Sequence, residues 1–164
     1  LAFESLRALG YRRIGVALTR WVVGRSQSAF TGGLFSLHQN IMEKDRIPFL
    51  ELPHELEQGE EVFCSWVRRH SPDVVISMDT HAPTWIKGMG LRMPEDVAFV
   101  SYDWVPSMSG IAGIDQRRSQ VAAAAVDLLA VQMSRFERGV PVVPRQVLIP
   151  SAWVDGDSVP LRRR

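Results

Sequence analysis

Apolar residues along this chain fall into two kinds of block. In the first they recur at helical spacing: Phe3, Leu6 and Leu9 before Gly10, then Phe30, Leu34, Leu37 and Ile41 within residues 27–42. The same period runs through Val62, Phe63, Trp66 and Val67 within 58–69. It continues in 80–89, where Pro83 suits a first turn. The most regular stretch is 119–137, in which Ala122 to Ala125 favour helix and Gly139 marks the end. Val121, Ala125, Leu128, Leu129 and Phe136 are expected to be its buried face. In the second kind, short β-branched runs stand between polar loops and suit buried strands. These are 13–18, 47–52 with Pro48 near its start, 73–77, 97–102 and 146–149.

Strands alternating with helices predict an α/β fold on a mostly parallel sheet. Such sheets bind ligands in a crevice outside the carboxyl ends of their strands. The loops expected there carry Thr19, Arg20, Trp21 and Arg25 after the first strand and His54 after the second. Met78, Asp79, Thr80 and His81 follow the third strand, and Asp103 and Trp104 the fourth.

Composition narrows the function classes. The chain is 46% hydrophobic and 23% charged, as in ordinary globular domains, and its net charge of +1 does not suggest a nucleic-acid surface, which needs clustered Lys and Arg. The basic run at 162–164 reads as a solvated tail. Apolar runs such as 121–126 and 97–100 are too short to cross a bilayer. Cys64 is the only cysteine, which rules out an internal disulfide, and it reads as a buried small side chain. The first residues read as a helix under way rather than a leader peptide.

Several phrases, in order, resemble the LacI/GalR family of transcription regulators. Leu9-Gly-Tyr-Arg-Arg-Ile-Gly15 is similar to its "LGHRRIG", and Pro72-Asp-Val-Val-Ile-Ser-Met-Asp79 to "PTAVFAxND". The run from Gly90 to Asp103 is similar to "GLRVPEDVSVVGYD", the most specific match. Ile114-Asp-Gln116 resembles the "TTIxQ" crossover, and Arg145 to Val154 the closing "xxLxPxxLVxRxS". The resemblance implies a type I periplasmic-binding-protein-like fold, a Rossmann-like three-layer αβα sandwich of two hinged lobes. Residues 12–103 would be the C-terminal lobe, 116–139 a returning segment of the N-terminal lobe, and 145–156 a closing strand. The family's DNA-binding domain and the first half of its N-terminal lobe have no counterpart here, so the 119–137 helix is expected to lack part of its packing surface.

The resemblance also implies site residues. Asp103 matches the family aspartate that accepts hydrogen bonds from ligand, though such a carboxylate also caps loop turns. Gln116, at the crossover glutamine, serves either ligand or hinge. His54 falls near the family's stacking aromatic and is otherwise a surface loop residue. Two departures stand out: Phe30 replaces the family's ligand-gripping arginine, and Met78 its asparagine, while Asp79 is kept. Phe30 and Met78 read as core residues or as an apolar pocket wall, and Arg25 is the cation that would reach in instead.

The implied function is ligand sensing and dimerisation in a cytoplasmic regulator. Its partners would be a sugar-like effector, a second copy of the chain, and DNA through another domain; no cofactor, metal or membrane is implied. Trp66 and Trp85 either cover a dimer face or fill the core. Two related readings share the architecture: a transporter's solute-binding protein, and the sensor of an AraC-type, xylose-regulator-like activator. An enzyme using His54, His81, Asp79 and Asp103 is disfavoured, because the chain has no nucleophile elbow and no phosphate-binding glycine loop.

Overall fold

The β-branched runs become strands where both faces find cover. The computed structural model describes residues 1–25, 29–53, 55–139 and 143–162, with residues 29 and 30 by their backbone alone. β1 (Ile14–Thr19), β2 (Leu50–Leu52), β3 (Val74–Ser77), β4 (Ala98–Ser101) and β5 (Ala112–Asp115) run parallel. β6 (Ala152–Val154) joins antiparallel at the edge, giving the order β2-β1-β3-β4-β5-β6.

Alternation along each strand divides the core into two halves. Ile14, Val16, Leu18, Val74, Ile76, Ala98 and Val100 pack toward α1 (Ala2–Ala8) and α3 (Ala29–Gln39). Ala17, Val75 and Phe99 face the other way, toward α4 (Leu56–His70) and α5 (Ala82–Gly88). There Phe63, Trp66 and Trp85 are buried together, so both tryptophans are core residues. Cys64 is buried in the same half, and burial pushes its thiol pKa up, with the Glu60 charge adding to the shift and Arg68 opposing it. The result is the three-layer αβα arrangement the sequence predicts.

The amino edge is tied down by polar contacts. Asp73 Oδ2 accepts the backbone N–H groups of Arg12 and Arg13 at 3.0 Å each. Arg162 pairs with Asp73 Oδ1 at 2.9 Å and lies over the Tyr11 ring, so this arginine is not the solvated tail residue expected. A carboxylate with fixed donors and a ring beneath it holds the guanidinium better than water does.

Other expectations fail for physical reasons. Residues 20–25, expected as loop, form the short helix α2 (Arg20–Arg25). The second strand covers only the end of 47–52, because Pro48 has no N–H to give a ladder and its carbonyl accepts Trp66 Nε1–H at 2.9 Å. Residues 146–149 form no strand, and Val147 and Leu148 are exposed. The strand positions beside β4 go instead to β5, which the sequence reading missed, and then to β6.

β5 owes its place to the chain around it. Ser158 Oγ accepts Ala112 N–H at 2.9 Å and donates to the Phe99 carbonyl at 2.7 Å, bridging β4 and β5. Gly156 is required beside it, since a Cβ there would lie 2.4 Å from Ala112 N. The last helix, α6 (Arg118–Ser134), forms nearly where predicted but buries no residue. Val121, Ala125, Leu129 and Phe136 are exposed and Leu128 only half-buried, contrary to expectation, with Leu129 56% and Phe136 82% exposed. Its alanine run favours helix by propensity, and among the described residues no sheet face covers it.

Candidate functional site

Because β1 to β5 are parallel, their carboxyl ends share one edge. The order β2-β1-β3 puts the reversal of connection between β1 and β3, the place where such sheets open a crevice. The sequence places Arg20, Trp21, Met78, Asp79, Asp103, Trp104 and Gln116 on the loops and helices that leave this edge.

Two of these loops repeat one turn. Ser77 and Ser101 are register partners on β3 and β4. Ser77 Oγ accepts the Asp79 N–H at 3.0 Å, and Ser101 Oγ accepts the Asp103 N–H at 3.3 Å. Each buried serine thus turns the chain so that an aspartate follows at the rim. The carboxylates then differ. Asp79 Oδ1 accepts the His81 N–H at 2.8 Å and lies 3.0 Å from His81 Nδ1, so it caps its own turn. Asp103 Oδ2 meets Arg118 from the start of α6, while Asp103 Oδ1 is buried without a hydrogen-bond partner.

Trp104 Nε1 is likewise buried and unpaired. Its backbone N–H donates to the Ile114 carbonyl at 3.0 Å. Gly113 makes room for it, since a Cβ there would lie 2.7 Å from both Ser101 O and Trp104 Cβ. Gln116 Nε2 donates to the Tyr102 carbonyl at 3.2 Å, tying the end of β5 to the β4 loop. Burial raises the Tyr102 pKa, and the neighbouring Asp103 charge raises it further.

Arg25 stacks 4.6 Å from the centre of the Trp21 ring, and Trp21 is 59% exposed. Met78 packs against the α1–α3 half of the core and lines a cavity of ≈ 190 Å³ with Ser77, Asp79, Ser101 and Met108. Phe30 belongs to α3 by its backbone, and its side chain lies outside the described residues, as does His54. A larger cavity of ≈ 270 Å³ between α1 and α3 is walled almost wholly by apolar groups such as Phe3, Val16, Leu34 and Ile76. The carboxyl edge is the better candidate, because recognition requires placed polar groups as well as volume.

Arg118, Ser77 and Ser101 were not singled out in the sequence. The repeated Ser-x-Asp at 77–79 and 101–103 was the available signal. Among the described residues no cluster of His, Cys, Asp and Glu is arranged to hold a metal, and no helix is long and apolar enough to cross a membrane.

Comparison with known proteins places this geometry. The dimeric lac repressor with an 11-residue C-terminal deletion superposes with a TM-score of 0.77 at 20% identity, covering 99% of this chain and 61% of that one. The lac repressor dimer bound to operator and the anti-inducer ONPF gives 0.75 at 20%, covering 98% of this chain and 49% of that one. A LacI family transcriptional regulator from Enterococcus faecium with bound ribose gives 0.68 at 16%, covering 99% and 62%. The chain thus spans about half to two thirds of the solved structures it resembles, whose common fold it shares. No curated protein matches it. The periplasmic binding protein-like domain model matches residues 3–159, and the chain belongs to that family.

Proposed function

We propose that this chain is the effector-sensing and dimerisation module of a cytoplasmic LacI-type transcription regulator that binds a small sugar-like molecule at the carboxyl edge. The observation that carries this reading is that Gln116, at the end of β5, donates to the Tyr102 carbonyl next to Asp103, at the end of β4, on one edge of a sheet with this fold. Asp103 would accept a ligand hydroxyl and Trp21 would offer a ring face. Residues 12–103 act as the C-terminal lobe, 116–139 return to an N-terminal lobe, and 145–156 close the fold. DNA is read by a domain outside this chain.

Effector binding between the lobes favours one closure angle and so sets how two subunits present their DNA-reading parts. Such coupling is typically worth about 1–3 kcal/mol. It requires unequal affinity for the two lobe arrangements. Thermal unfolding of the intact protein against pentoses, hexoses, uronic acids and purines tests the reading. A true effector at about 100-fold its Kd stabilises by about 2.7 kcal/mol. A panel without any shift would count against the reading.

The exposed face of α6 supports the lobe assignment, since Val126, Leu129 and Met133 lie uncovered on an otherwise well-formed helix. Leu129→Ala is expected to leave this chain's own stability nearly unchanged and to cost about 2 kcal/mol in the intact protein. Denaturant titration of both compares the two losses. Equal losses would sink the assignment of α6 to a second lobe.

A further inference from the structure

We propose that Arg118 is an internal competitor for the effector, a latch that holds the Asp103 carboxylate until a ligand hydroxyl takes its place. The proposal rests on the effector reading above and adds its regulation. Two observations carry it. Asp103 Oδ1 is buried, so the oxygen left for an incoming molecule is Oδ2, and Oδ2 is the atom Arg118 holds. The Arg118 side chain is 62% exposed against 19% for Asp103, so the cation can swing into water while the carboxylate stays.

The latch also has mechanical consequences. Arg118 opens α6, and among the described residues its contact with Asp103 is the one ion pair between that helix and the body of the sheet. The turn before it is set by Asp115 Oδ1 accepting the Arg117 N–H at 2.7 Å, with Arg117 at φ 50°. Displacing Arg118 therefore removes a tie between the β4 loop and α6 without undoing the β5 turn. An exposed ion pair is weak and screened by salt, as a releasable tie must be.

The test uses calorimetry on the intact protein with D-ribose, D-glucose and D-galactose as probes. Wild type, Arg118→Ala, Arg118→Gln and Asp103→Asn are compared. Both Arg118 variants are expected to bind a responding sugar about two- to fivefold more tightly. Raising salt should tighten binding to wild type more than to Arg118→Ala, because only wild type has a pair to screen. Binding seen in Arg118→Ala alone would also support the latch. Binding that Asp103→Asn abolishes but the Arg118 variants leave unchanged or weaken would overturn the latch alone. Binding indifferent to Asp103→Asn would overturn the placement of the effector as well, and sugars bound by no form would overturn both.

Discussion

Phe63→Ala is expected to cost about 3–5 kcal/mol of stability, the range for emptying a large aromatic site in a core. Phe63 has no exposed surface and sits between two tryptophans, its ring centre 6.2 Å from that of Trp66 and 5.3 Å from that of Trp85. Neither neighbour can collapse into the gap. Trp66 is pinned by its Nε1–H to the Pro48 carbonyl, and its ring lies so close to β1 that a Cβ on Gly15 would come within 2.4 Å of it. Trp85 is fixed on α5 above Gly59. The cavity would therefore persist, which puts the loss at the upper end of the range. Phe35→Ala, on the exposed side of α3, should change stability by no more than about 0.5 kcal/mol. Urea titrations of both variants check the contrast. A Phe63→Ala loss under about 1 kcal/mol would contradict the packing of α4 on the sheet.

Much of this fold was legible because parallel strands covered on both faces read as nearly continuous apolar runs. Residues 73–77 and 97–102 advertise β3 and β4 in that way. β5 has no such signal. Ala112-Gly-Ile-Asp115 is poor in β-branched residues and becomes a strand because Ser158, Gly113 and Gly156 let neighbouring backbone close in. Residues 146–149 show the converse: a convincing apolar run that pairs with no described strand and stays exposed at Val147 and Leu148. In α6 the helix was legible and its burial was not, because the period marks an apolar face while no described element covers it.

Site legibility followed the same division. The loops at the carboxyl edge were predictable from strand direction alone, and resemblance singled out Asp103 and Gln116 within them. The chain says nothing directly about which carboxylate is spent on its own turn. That depends on His81 standing two residues after Asp79, and on Arg118 arriving beside Asp103 from an element fifteen residues away. The equivalence of the two serine turns likewise appears only once Ser77 and Ser101 are known to be in register.

That difference between the aspartates yields the second large effect. Asp103→Ala is expected to weaken effector binding by about 10- to 100-fold, the loss of a hydrogen bond to a charged group. Its effect on folding should be small. The residue gives up only an exposed ion pair, and its Oδ1 is a buried acceptor whose removal relieves an unpaired desolvated group. Stability should therefore hold within about 0.5 kcal/mol or rise, as at sites where function opposes stability. Asp79→Ala should do the opposite: it deletes the cap on the His81 N–H, costs about 1 kcal/mol in folding, and leaves binding within a few-fold of wild type. Measuring both variants by urea titration and by calorimetry with the effector separates the two roles. Equal binding losses would mean that both turns face the ligand, and a stability loss confined to Asp103→Ala would make its carboxylate a structural cap.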